Sequence, residues 1–188
     1  PFYLKVPGVV QAGSQNATPV NGIDWYPTLL ELCGIELPKK QKVDGVSLVP
    51  LLKGKELQDR PLYWHYPHYG NQGGEPSSII MEGKWKLIHY HEDGRDELYD
   101  LNEDIGEQVN LINKESDQAK EMKKRLSSWL EETKATFPVP DPQFDSVKQN
   151  LWWENMKSSR KISLEKQHAR FLDPNYQPNK NWWGSLVD

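Results

Sequence analysis

The chain has 188 residues, enough for one domain with a core of its own or for a small domain carrying appendages. A hydrophobic fraction of 36% with fourteen prolines predicts extended, weakly regular segments beside that core. A net charge of -4, from 23 basic and 27 acidic residues with no long basic stripe, argues against duplex nucleic acid as a partner, and no apolar run of about 18 residues exists to form a membrane-spanning helix.

In chain order, Phe2 to Val10 reads as a strand interrupted by Pro7-Gly8. Its opening, Pro1 to Val6, looks like the middle of a protein, a strand cut at its edge. Gln11 to Pro19 is a polar loop. Asp24 then stands where an N-cap belongs, with Pro27 tolerated in the first turn, Leu29, Leu30, Leu32 and Cys33 supplying apolar surface, and Gly34 as a left-handed stop. The lone Cys33 cannot form an intrachain disulfide and is expected to be a buried structural thiol. Asp44-Gly45 makes a turn, Ser47 can cap a helical turn or two with Pro50 tolerable near the start, and Gly54 ends the run.

Between Leu62 and Leu101, runs of alternating polarity are separated by glycine turns, the pattern of short antiparallel strands. Trp85, Leu87 and His89 should face one way, and Lys86, Ile88 and Tyr90 the other. Glu82-Gly83 and Asp93-Gly94 are the turn candidates. A ribbon of this kind needs cover. From Ser116 to Thr133, residues Ala119, Met122, Leu126, Trp129, Leu130 and Thr133 form one apolar helical stripe, with a Glu121–Arg125 pair expected on the outside. The fold class predicted is α+β, a small four-stranded antiparallel sheet packed against a long amphipathic helix. Beyond Phe137, proline, asparagine and tryptophan pairs (Trp152-Trp153 and Trp182-Trp183) predict an irregular tail with at most a short helix within Lys157 to Arg170. Its rings are expected to bury against another surface, with sugar stacking as the alternative.

Chemistry-bearing motifs are few. There is no CxxC pair, HExxH, GxSxG elbow or glycine-rich phosphate loop. The candidate constellation is His65, His68 and Tyr69, with Asn71 and Gln72 behind them, at a strand end leading into a loop. Histidine and tyrosine there can hydrogen-bond to oxyanions or sugar hydroxyls. Residues three apart on a regular strand face opposite sides unless Pro67 bends the chain, so convergence of His65 and His68 is left open. Either can equally be a half-buried strand residue bonded to backbone. His89 and His91 would share a face and could hold a metal, although no third ligand is visible and packing roles are preferred.

The phrases PFYLKVPGVVQAG, NGIDWYPTLLELCGI, DGVSLVPLLKG, RPLYWHYPHYG, GKWKLIHY and DELYDLNEDIGEQVNL resemble, in order and spacing, the C-terminal portion of a type I, formylglycine-dependent sulfatase of the arylsulfatase family. The likeness covers Pro1 to about Trp129. It implies that residues 1–60 are the C-terminal edge of a large alkaline-phosphatase-like α/β domain and 61–136 a sheet-and-helix subdomain, while 137–188, an irregular aromatic-rich extension, departs from the family's short ending. It also implies hydrolysis of sulfate esters by formylglycine with calcium, both supplied by a preceding N-terminal sulfatase domain. Cys33, outside any C-x-P-S-R context, does not correspond to the nucleophile. The fragment alone should therefore be inactive. The resemblance further implies a sulfated carbohydrate or aryl sulfate as substrate, His65, His68 and Tyr69 as substrate-binding residues, and a periplasmic or secreted location. A second class of function is a non-enzymatic glycan-binding or structural module of the same origin.

Overall fold

The computed structural model describes residues 2–70 and 74–176, with the backbone of 181–182 and 185–186. Asn71, Gln72 and the Trp182 and Trp183 side chains lie outside the described residues. The chain forms two compact units, Pro1–Pro138 and Val139–Asp188.

In the first unit, strands β1 (Leu62–Tyr66), β2 (Ser77–Glu82), β3 (Trp85–Tyr90) and β4 (Asp96–Asp100) pair consecutively as an antiparallel meander. The turns do the work the sequence assigns them: Gly83 and Gly94 both adopt positive φ, where a Cβ would be strained. Register then follows. Tyr63, Ile80, Leu87 and Leu98 form one row across the sheet, and His65, Ser78, His89 and Asp96 form the next. Because side chains alternate with period two, both rows face the same side.

Helix α3 (Ser116–Glu132) lies on that side. Its stripe of Ala119, Met122, Leu126 and Leu130 closes over Ile80, Leu87 and Leu98 to form the core. Burial of each large side chain contributes roughly 1.5–3 kcal/mol. At the margin, Trp129 stacks on Tyr63 with ring centroids 4.7 Å apart and planes 4° from parallel. Arg125 does not make the expected pair with Glu121; it reaches Glu82 on the sheet, a second tie between the layers. Past the helix, Lys134 turns left-handed (φ 53°) and the chain runs back toward the end of β1.

The segment before the sheet is organised by Asp24, which is fully buried. It stands at the start of α1 (Trp25–Leu32), but its carboxylate does not cap that helix. It accepts instead from Asn21 N (2.7 Å), Val46 N (3.0 Å) and Arg60 Nη2 (2.5 Å). Thr28 adds a second link, its hydroxyl donating to Asp24 O at 2.6 Å and accepting from Leu48 N at 2.8 Å. Gly45 passes so close that a Cβ there would fall 2.1 Å from Ile23 O. The D-x-x-P-T and DG-x-SL blocks are therefore two halves of one clamp. Ser47 accepts from Val49 N at 3.2 Å at the start of the short helix α2 (Val49–Leu52).

Three further expectations are corrected. Phe2 to Val6 is not a strand. Among the described residues no strand lies beside it to take its ladder hydrogen bonds, and Phe2 packs edge-on against Trp25 instead. Cys33 is exposed, because α1 turns Pro27 and Thr28 inward and leaves Leu29 and Cys33, four apart, on the outer face. In the second unit, α4 (Ser146–Asn155), a wider turn at Met156–Arg160 and α5 (Lys161–Phe171) run continuously, more regular than the sequence suggests. Asp145 caps this run, accepting from Val147 N and Lys148 N. No residue of these helices is buried.

Candidate functional site

The polar row of the sheet is a linked cluster. His65 Nε2 contacts Thr136 O at 2.8 Å, and a carbonyl can only accept, so Nε2 carries hydrogen. In neutral His65 the other nitrogen, Nδ1, is then an acceptor for the Ser78 hydroxyl, 2.7 Å away. Ser78 Oγ in turn accepts from His91 Nε2 at 2.8 Å. Beside it, His89 Nδ1 meets Asp96 Oδ1 at 2.7 Å, and Asp96 Oδ2 takes Lys123 Nζ of α3 at 2.5 Å. Phe137 closes the cluster, standing edge-on to His65 and His91 at 5.6 and 5.3 Å. Burial, helped by the neighbouring His89 and His65, holds the His91 pKa below its ordinary value. His65 is thus a half-buried residue with both nitrogens engaged.

His68 lies beyond β1 on the opposite side. Its ring stands edge-on to Tyr66 at 5.4 Å, and Tyr66 faces away from α3. The two histidines diverge, as strand geometry favours. His68 and Tyr69 are both exposed. Tyr69 Oη donates to Glu92 Oε2 at 2.5 Å, and this bond, with some burial, pushes the phenol pKa up to about 12. The other end of the loop is tied by Glu75, whose carboxylate takes Arg95 Nη2 at 2.6 Å. Arg95 also bonds Asp93 at 2.7 Å and lies over the Tyr90 ring at 3.7 Å. Its pKa is raised, first by Asp93 and then by Glu75. The loop is therefore fastened at both ends to the turn between β3 and β4.

Sequence reasoning missed Ser78, Glu75, Glu92 and Arg95. The cross-strand partners were within reach: fixing the hairpin at Gly83 sets His65 opposite Ser78 and Ser78 opposite His89. The Glu92 and Arg95 ties depend on side-chain reach between loops and leave no spacing signal. His89 and His91 do sit together, 5.1 Å between centroids. Among the described residues, however, no group of three His, Cys, Asp or Glu side chains is arranged to hold a metal ion. The described residues thus offer no such cluster for a calcium ion. A cleft of about 630 Å³ lies between Phe2, Trp25, Leu48 and Leu51, and no His, Asp or Glu lines it.

Residues 1–136 match the family model described as N-sulphoglucosamine sulphohydrolase, C-terminal. A sulfatase of Formosa agariphila is 36% identical, covering 80% of this chain and 32% of that protein. An N-acetylglucosamine-6-O-sulfatase of Bacteroides thetaiotaomicron is 32% identical, over 76% of this chain and 26% of its own length. The solved structure of a 2-O GAG sulfatase superposes with a TM-score of 0.50 at 28% identity, covering 64% of this chain and 27% of that one. The chain thus spans about a third or less of the relatives it matches. It belongs to the sulfatase family, as a member of the N-sulphoglucosamine sulphohydrolase C-terminal group.

Proposed function

We propose that this chain is the C-terminal, cleft-shaping part of a sulfuric ester hydrolase acting on sulfated carbohydrates, and that alone it hydrolyses nothing. The family match over residues 1–136 carries this reading. Relatives named for N-acetylglucosamine and hexuronate sulfate esters favour a sugar over a simple aryl sulfate as substrate. Calcium and formylglycine are assigned, by the same reading, to sequence outside this chain. A periplasmic or secreted location belongs to it as well, on the family resemblance.

Within the chain, His68 and Tyr69 are the residues proposed to meet the sugar. His65 has both nitrogens bonded inside the fold, so its role is to hold the end of β1 that carries them. The substrate-binding role of His65 in this scheme is positional. A glycan-binding module remains the second reading, on the exposed Trp152 and Trp153. Their planes lie 73° apart, which offers no shared flat face for stacking a sugar ring.

Incubating the isolated chain with 4-nitrophenyl sulfate and calcium should release no sulfate. Turnover attributable to the chain itself would overturn the assignment of catalysis to sequence outside it.

A further inference from the structure

The charge balance of the whole chain conceals a local excess. Residues 146–171, the continuous helical run of the second unit, hold six lysines and arginines against two glutamates, a net of +4 on a chain whose total is -4. The remainder therefore carries -8. Lys157, Lys161 and His168 follow one another at four and seven positions, spacings that share a helix face, with Trp153 one turn before them and Arg160 alongside. Lys166 and Arg170, four apart, bring charge to a second side. No residue of the run is buried, and the Lys157 and Lys161 side chains are 70% and 69% exposed. Their ion pairs with Glu154 and Glu165, at 3.5 and 3.8 Å, lie in solvent and are worth little, so an incoming anion can compete for them. From Trp153 to His168 the run extends about 20 Å at the helical rise, long enough to follow an extended polymer. Its apolar residues do not gather: Leu164 and Phe171, seven apart, share one side, and Ile162, two before Leu164, points to the other. A helix lying on a membrane surface needs a single apolar face, which this run lacks.

We propose that this helical run binds a sulfated polysaccharide through its basic side chains. Charge complementarity points to the occupant: a chain of net negative charge repels a polyanion at long range unless positive charge is concentrated somewhere on its surface. The choice of a sulfated sugar polymer over other polyanions rests on the reading of this chain as part of a sulfated-carbohydrate hydrolase. It goes further by giving the second unit a ligand, held by charge and not by stacking. The 73° between the Trp152 and Trp153 planes therefore does not count against it.

The test is isothermal titration of the full chain with dextran sulfate and with dextran of the same length, at low and at physiological salt. Binding of dextran sulfate alone is expected, weakening as the Debye length falls from about 30 Å at 0.01 M to about 8 Å at 0.15 M. The triple substitution Lys157→Gln, Arg160→Gln, Lys161→Gln should weaken it roughly a hundredfold at low salt, since one unit charge at contact in water is worth about fivefold. Lys39→Gln, Lys40→Gln, Lys42→Gln makes the same change in net charge at exposed positions of the first unit and should leave binding within about twofold. Equal losses in the two triple variants, or no loss in the first, would overturn the site. Dextran, poly-L-glutamate or phosphatidylserine vesicles bound as tightly as dextran sulfate would overturn the sulfated polymer as its occupant. Because the readout is binding, these results are independent of whether the isolated chain releases sulfate, the outcome that would overturn the sulfatase reading.

Discussion

Asp24 shows how much one carboxylate can organise when it is fully buried. It gathers three donors from Asn21, Val46 and Arg60, so its removal orphans two backbone amides and a guanidinium at once. Asp24→Ala should cost about 3 kcal/mol in urea denaturation, the scale for breaking a buried pair by deleting one partner. A loss below about 1 kcal/mol would mean that water replaces the carboxylate without penalty. The aspartate was legible in the sequence as a helix start. Its true partners were not, because Arg60 lies 36 residues away and nothing local announces it. His91 makes a second residue-scale claim. Its pKa is lowered in the fold, chiefly by burial, whereas in the unfolded chain it titrates near 6.5. Between the two values the unfolded chain binds more protons, so this contribution to stability is whole above the unfolded value and is lost as pH falls through the folded one. Comparing unfolding free energies at about pH 7.5 and pH 5 should show a smaller acid loss in His91→Asn than in the parent chain. Equal losses would remove His91 from the pH response.

At the level of elements, the sheet and α3 were readable because their periods are clean. Alternation from Trp85 to Tyr90 and the stripe from Ala119 to Leu130 each declare a face, and the two faces meet in one core. Met122 sits at its centre with no exposure, so Met122→Ala should cost roughly 2–5 kcal/mol by denaturation. A cost under 1 kcal/mol would show that α3 repacks freely on the sheet. Where the reading failed, the cause was a missing neighbour or a weak pattern. Phe2 to Val6 has strand composition but no strand to pair with among the described residues. The helical run from Ser146 to Phe171 has no apolar stripe, so periodicity could not reveal it, and Asp145 was the one signal of its start. The candidate site was half legible: strand geometry separates His65 from His68, but the linkage through Ser78 and the Glu92 and Arg95 ties needed the register and loop paths of the folded chain.

For the molecule as a whole, the first unit has the α+β arrangement of a sulfatase C-terminal region, and its family membership rests on residues 1–136. Among the described residues no three His, Cys, Asp or Glu side chains are grouped to hold a metal ion, and the proposed function assigns catalysis to sequence outside this chain. The most direct measurement of the proposed function is steady-state kinetics of His68→Ala, across several sulfated sugars, in the full-length sulfatase to which it assigns this chain. Loss of the proposed hydrogen bond from His68 to substrate, at about 0.5–1.5 kcal/mol, should raise KM by roughly twofold to twelvefold and leave kcat near its original value. Unchanged KM for every sugar tested would contradict the account.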